Sequence, residues 1–159
     1  MKEGLKSSSK KVADFLESKG IRAVVREIPE STRTSAEAAR AIGCDISEIA
    51  KSIVFRGMET GKPYIVLAQG SSKINEEKVE KETGEKVTKA DAEFAREQTG
   101  FAIGGIPPFG RSAKIKTFID RNLMKHKEIW AAAGTPNSVF SISPDDLIRI
   151  TEGNVAEVS

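Results

Sequence analysis

Three short stretches of this sequence bring together residue types that could do chemistry. Lys51 stands immediately before Ser52-Ile53-Val54-Phe55, a β-branched and aromatic run that predicts a strand. Period-two alternation puts Lys51 on the face of Ile53 and Phe55, so its ammonium turns toward an interior or a cleft; a lysine snorkelling from a strand end is the alternative. Ser52 falls on the opposite face unless the strand opens with a bulge. The second stretch is Gly104-Gly105-Ile106-Pro107-Pro108-Phe109-Gly110, where the prolines fix the backbone and the glycines allow close approach or positive φ. Its amides could cradle an anion or a developing oxyanion, although a tight connection between strands has the same composition. No Gly-Lys-Ser/Thr ends it, which excludes a nucleotide phosphate loop. The third is Ala133-Gly134-Thr135-Pro136-Asn137, a small-residue turn that a ligand or an ordinary chain reversal explains equally well.

What is missing narrows the mechanism. One cysteine, Cys44, cannot close an intramolecular disulfide, and one histidine, His126, cannot build a His-rich metal cage. Cys44 reads as a small buried thiol at a helix end, and His126, between Lys125 and Lys127, as part of a solvated basic turn. No strand-turn-helix nucleophile signature is present, and the carboxylates show no spacing that selects an acid/base pair. Any chemistry must ask little of side chains, and neither metal nor cofactor is called for.

The elements that must position these residues follow from periodicity and punctuation. A helix is predicted over Ser9–Lys19, with Gly20 as its stop, then a strand over Ile21–Ile28 that Pro29 breaks. Thr34 opens a helix with a capping box to Glu37, and Gly43 ends it; Asp45–Ala50 fits one further turn. Tyr64–Ala68 is the clearest buried strand, in a hairpin with the strand after Lys51 across a turn at Gly57–Lys62. Polar helices lie within Ile74–Glu82 and over Asp91–Gln98, closed by Gly84 and Gly100. Short strands are predicted at Phe101–Ile103, Ile115–Phe118, Ile129–Ala133 and Val139–Ile142. A helix capped by Ser143 and started by Pro144, and a strand at Val155–Val158, complete the series. Asp145 and Asp146 already satisfy the positive end of that last helix, so no phosphate is expected there. Many short strands without strict βαβ alternation give an α+β class, with a mixed, strongly curved, barrel-like sheet and peripheral helices.

At 159 residues the chain suits one domain, and 38% apolar with 30% charged residues is ordinary for a globular protein. Net charge is +2, from 25 basic against 23 acidic residues, so any nucleic-acid contact must be local. Arg111, Lys114 and Lys116 beside the Gly104–Gly110 loop are candidates for it, or else a solvated strand face. The apolar stretches are too short to cross a bilayer and the N-terminus reads as no secretion signal, so no membrane contact and a cytoplasmic location are expected.

Taken together, Ser31–Ala39, Ile49–Phe55, the Gly104–Gly110 loop, and Ala133–Phe140 followed by Ser143–Leu147 resemble the YbaK/ProX family of trans-editing aminoacyl-tRNA deacylases, similar to the insertion domain of bacterial prolyl-tRNA synthetases. The resemblance covers nearly the whole chain. It implies a barrel-like editing domain that hydrolyses mischarged tRNA. Lys51 would hold the terminal adenosine or its phosphate, and Gly105 would be the loop glycine whose neighbourhood binds the carbonyl oxygen. Thr34, Ser52, Gly104, Ile106, Pro107, Gly110, Gly134, Thr135 and Pro136 would line the substrate. A water assisted by the substrate's own ribose hydroxyl or amino group would be the nucleophile. The implied partners are the aminoacylated acceptor end of tRNA and prolyl-tRNA synthetase. Thr135-Pro136-Asn137-Ser138 departs from the cysteinyl-tRNA branch, which carries charged residues there, and favours another small amino acid, alanine or 2-aminobutyrate. A non-catalytic module that binds acceptor ends or a synthetase, and a small-ligand regulatory protein, are the competing readings.

Overall fold

The computed structural model describes residues 7–29, 34–110 and 114–159. The first half runs α1 (Ser7–Ser18), β1 (Arg26–Glu27), α2 (Ser35–Ile42), β2 (Ala50–Gly57), β3 (Pro63–Gln69), α3 (Glu76–Thr83), β4 (Val87–Lys89) and α4 (Ala92–Thr99). It continues with β5 (Lys116–Asp120), β6 (Ile129–Ala132), β7 (Ser138–Ile142), α5 (Pro144–Thr151) and β8 (Asn154–Ala156), with 3-10 turns at Ile46–Glu48 and Arg121–Lys125. The capping box at Thr34 forms as expected: the Glu37 N–H donates to Thr34 Oγ1 at 3.1 Å, and the Thr34 N–H donates to the Glu37 carboxylate at 3.2 Å.

Two sheets result, one of order β1-β7-β6 and one of order β4-β2-β3-β5-β8. In the larger sheet β2 and β3 pair antiparallel from Ala50↔Gln69 to Arg56↔Pro63, while β5 and β8 are added in parallel. An isolated parallel bridge, Ile49↔Trp130, joins the two sheets. The α+β class with a mixed, curved sheet holds, but the barrel-like surface is made of two open sheets and not of one closed on itself.

Period-two alternation in β3 divides the core. Ile65 and Leu67 face the main cluster, with Val12 and Leu16 of α1, Phe140 of β7 and Leu147 of α5. Tyr64 and Val66 face a second cluster with Phe55, Val79, Val87 and Phe118. A strand buried on both faces reads as an unbroken apolar run, which is why Tyr64–Ala68 stands out in the sequence. Full burial of each large apolar side chain is worth about 1.5–3 kcal/mol.

Several expected elements come out differently. Of Ile21–Ile28 only Arg26 and Glu27 pair, against Val139 and Ser138 at the start of β7. Phe101–Ile103 is a turn, with Phe101 buried but Ala102 and Ile103 exposed and unpaired with any strand. The last strand is Asn154–Ala156 instead of Val155–Val158. Val87–Lys89, too short and polar to predict, pairs with Phe55–Gly57.

The far end of the β2–β3 hairpin is tied down by Glu85, which is buried. Its carboxylate accepts the N–H groups of Glu59 (2.9 Å) and Thr60 (3.0 Å) and the hydroxyls of Thr60 (2.7 Å) and Tyr64 (2.6 Å). A Cβ on Gly57 would lie 2.4 Å from that carboxylate, so the close approach requires glycine. The Tyr64 and Thr60 hydroxyls, followed by the Thr60 amide, hold the Glu85 carboxyl down at about 2 against the opposing effect of burial. A depressed carboxylate stabilises the fold above its ordinary value of 4.5, and the contribution is lost as pH falls toward 2. Glu85→Gln should therefore lower the melting temperature by several degrees at neutral pH. The deficit should shrink as both proteins are acidified below about 4.5, as thermal melts across pH would show.

Candidate active site

A cavity of about 380 Å³ opens where the two sheets meet. Its position follows from incomplete pairing of β2. On one side β2 is paired with β3 throughout, whereas on the other β4 begins only at Phe55↔Lys89, extended by an Ala90 N–H to Val54 C=O bond of 2.9 Å. At the other end the Ile49↔Trp130 bridge ties the strand to β6. Between these anchors no strand of the described residues covers the outer edge of β2, and Ala50, Lys51, Ser52 and Ile53 line the cavity there. The opposite walls are Ala131 and Ala132 of β6, Val139 of β7, Ala38 of α2, Ala95 of α4, and Ile103, Gly104 and Ile106.

The lining is apolar apart from a few groups. Lys51 and Lys89 are its only charged side chains among the described residues, and none of those residues places a carboxylate or imidazole in it. Burial pushes the Lys51 ammonium below its ordinary value, and the nearby charge of Lys89 adds to the effect against the opposing pull of Asp120. Lys51 Nζ donates to the Ser72 carbonyl. That carbonyl is held in a turn by buried Gln69, whose amide donates to Ser72 Oγ at 3.1 Å while its oxygen lies 3.0 Å from His126 Nε2. His126 is thus half-buried and engaged in this turn, not part of a solvated basic loop as expected. Ser52 Oγ is buried and has no hydrogen-bond partner among the described residues.

Of the expected site residues, Lys51, Ser52, Thr34, Gly104 and Ile106 line the cavity. The alternation argument that separated Lys51 from Ser52 is right about faces, but the cavity sits on the strand edge and reaches both. Gly105, Pro107, Gly110, Gly134, Thr135 and Pro136 lie outside the lining. Gly105 and Gly134 instead lock the two loops together: the Gly134 N–H donates to the Gly105 C=O at 2.8 Å, and a Cβ on Gly105 would lie 2.7 Å from the Thr135 backbone. The Gly105 amide is already committed to the Ala102 carbonyl at 3.0 Å. Gly134 has φ of 97°, and a Cβ there would sit 2.8 Å from the Ser8 carbonyl oxygen. Thr135 closes its own turn, its N–H donating to Ser138 Oγ at 3.2 Å and its hydroxyl 2.7 Å from the same atom. Pro107 is buried beneath the loop, and Gly110 borders a separate hollow with Phe15, Phe101 and Phe109.

Lys114 pairs with Glu152 at 2.6 Å and Lys116 lies over the Phe118 ring at 5.7 Å; neither lines the cavity, and Arg111 lies outside the described residues. Lys89 is the cationic residue that sequence reasoning missed. Its signal was Val87-Thr88-Lys89 leading into the Asp91 helix cap, a three-residue strand with nothing to distinguish it from a loop.

Residues 29–150 match the family model of the aminoacyl-tRNA editing domain. The chain belongs to that family. This editing domain is 34% identical over 131 residues to YwhH, an uncharacterised protein of Bacillus subtilis (strain 168), covering 82% of this chain and 83% of that one. It is 30% identical over 104 residues to a proline–tRNA ligase of Limosilactobacillus fermentum (strain NBRC 3956 / LMG 18251), covering 63% of this chain and 18% of the ligase. It superimposes with a TM-score of 0.92 and 38% identity on the crystal structure of a proposed trans-editing enzyme for prolyl-tRNA synthetase, covering 98% and 99% of the two chains. The editing domain is an aminoacyl-tRNA deacylase.

The clamp between the two glycine loops sets one wall of the editing cavity, through Gly104 and Ile106 on one loop and Ala132 just before the other. Gly105→Ala should push the loops apart, costing about 1–3 kcal/mol of stability and at least tenfold in deacylation. Denaturant titration alongside single-turnover hydrolysis checks both, and a fully active, fully stable variant would remove the clamp from the account.

Proposed function

We propose that this editing domain acts in trans on tRNA(Pro) carrying a small, wrongly attached amino acid, alanine or 2-aminobutyrate before cysteine, and hydrolyses the ester to release the free amino acid. The observation that carries the reading is the cavity itself. Its walls are small and apolar at Ala38, Ala50, Val54, Ala95 and Ala131, which suits a short uncharged side chain. Its charged groups among the described residues are two lysines, which suit the phosphate or ribose end of a terminal adenosine. Prolyl-tRNA synthetase is the partner that would supply the mischarged substrate.

In this reading Lys51, steadied by the Ser72 carbonyl, holds the adenosine end, with Lys89 beside it. Thr34 at the rim and Ile106 in the wall bound the aminoacyl group, and backbone donors near Gly104 take the carbonyl oxygen as it becomes an oxyanion. Gly105, Pro107, Gly110, Gly134, Thr135 and Pro136 act one layer out, keeping those walls in place. Water attacks the ester carbon and the tetrahedral species collapses to the carboxylic acid. The ribose oxygen leaves and takes up the proton that the water loses. The ribose hydroxyl or amino group next to the ester relays that proton, so no protein base is required.

Incubation with a panel of mischarged tRNAs tests activity and substrate together: rapid release of alanine or 2-aminobutyrate from tRNA(Pro), with prolyl-tRNA(Pro) spared, is expected. Lys51→Ala should lower kcat/KM on the order of tenfold to a hundredfold while the melting temperature stays near that of the parent. A variant that melts far earlier but keeps full activity per folded molecule would refute the role.

Lys89, Arg111, Lys114 and Lys116 are the proposed phosphate contacts. Binding should then weaken with salt, log K against log salt falling by about 0.7 for each single-strand phosphate engaged. A flat response would favour the small-ligand reading.

A further inference from the structure

We infer that the aminoacyl group docks as a single added β-rung on the uncovered edge of β2, pairing with the main chain of Ser52 and with its hydroxyl. The inference rests on the aminoacyl-ester reading above and specifies which protein atoms recognise the amino acid.

The direction of the Ser52 backbone follows from its neighbour. The Val54 carbonyl accepts the Ala90 N–H at 2.9 Å, so the main-chain groups of Val54 point away from β3. Alternation along a strand sends the N–H and C=O of Ser52 to the same side, into the gap between the Ala90 contact and the Ile49↔Trp130 bridge. No strand of the described residues fills that gap, and Ser52 lines the cavity that occupies it. Ser52 Oγ is independently unsatisfied: it is buried and has no partner among the described residues. Buried hydroxyls without partners are uncommon, and this one belongs to a residue that lines the cavity beside an unpaired strand edge, which points to a ligand.

An α-aminoacyl ester carries a nitrogen donor and a carbonyl acceptor at the spacing of one residue. Set opposite Ser52, its α-amino group donates to the Ser52 carbonyl and its ester carbonyl accepts the Ser52 N–H, as in the closely spaced pair of an antiparallel ladder. The Ser52 hydroxyl is a second partner for the α-nitrogen, and the Ser52 N–H helps polarise the ester carbonyl. Residues paired across a ladder place their side chains on one face. The amino-acid side chain then lies on the Ser52 face, which Ala50 and Val54 share, and Ala95, Ile106 and Ala131 of the same core close around it.

The test uses the L-alanyl and propionyl amides of 3′-amino-3′-deoxyadenosine, which differ in the α-amino group and cannot be hydrolysed as esters. The parent protein should bind the alanyl compound on the order of tenfold more tightly, and Ser52→Ala should cut that preference several-fold with little change toward the propionyl compound. Exchange of the Ser52 amide hydrogen should be faster than that of Lys51 and Ile53 in the free protein and should slow on binding the alanyl compound. Ser52→Ala without ligand should melt at or above the parent temperature, because it removes an unsatisfied hydroxyl. The inference is overturned if the parent binds neither compound or shows no preference. It is equally overturned if Ser52→Ala keeps the full preference, if the Ser52 amide does not become protected, or if Ser52→Ala alone is markedly destabilised. Binding with the stated preference but no hydrolysis of any mischarged tRNA would sink the proposed function and leave this recognition mode standing.

Discussion

Seven rungs join β2 to β3, whereas among the described residues the opposite edge of β2 is held only at its two ends, by β4 beyond Val54 and by Trp130 at Ile49. Backbone polar groups removed from water without partners are costly, so an interrupted edge inside a fold has to be filled by solvent or by a ligand. The cavity is that interruption. It has one wall from each sheet, and Gly104 and Ile106 of the glycine-rich loop, with Ala38 and Ala95 of the helices, close it. The asymmetry also lets one strand contribute Lys51 from one face, Ser52 from the other and its main chain in between.

Keeping such an edge open demands rigidity around it. Glu85 fixes the far turn of the hairpin with four short hydrogen bonds, so the strands cannot slide in register. Gln69 and Ser72 fix the near end, where the Lys51 ammonium is moored. The Gly105–Gly134 clamp holds the opposite wall. Two lysines in a lining that lacks a carboxylate among the described residues are tolerated at the mouth, where water still reaches them. They leave the site short of negative charge, a state that a phosphate relieves.

Local signals made much of this legible in the sequence. The Thr34 capping box, the β2–β3 hairpin and the position of Lys51 are each encoded within a few residues, and all are found in the structure. The glycine-rich loops were also recognisable, but their work was not: whether Gly105 lines a ligand or a neighbouring loop depends on Thr135, thirty residues away, and only the fold brings the two together. Lys89 and Gln69 escaped for the same reason, one on a polar three-residue strand and the other a buried amide whose partners are Ser72 and His126. Phe101–Ile103 had the composition of a strand but pairs with none of the described strands. For Ser52 the sequence reveals only its face; that no strand of the described residues pairs beside it on the outer edge of β2 is visible only in the fold.

The same geometry bears on how a site with so little side-chain chemistry could select its substrate. One methylene in an apolar pocket is worth only about 1–3 kcal/mol, so a wall that yields by a few tenths of an ångström gives that discrimination away. Ala50, Val54 and Ala131 are carried on strands, with backbones fixed by ladder bonds on at least one side, and Ala95 packs into the main core. Such walls cannot retreat without disturbing β3 or β7. On the proposed function, a larger side chain would be refused by the same pairing that leaves the Ser52 edge exposed, and selection by size and recognition of the aminoacyl backbone would be two consequences of one incomplete strand.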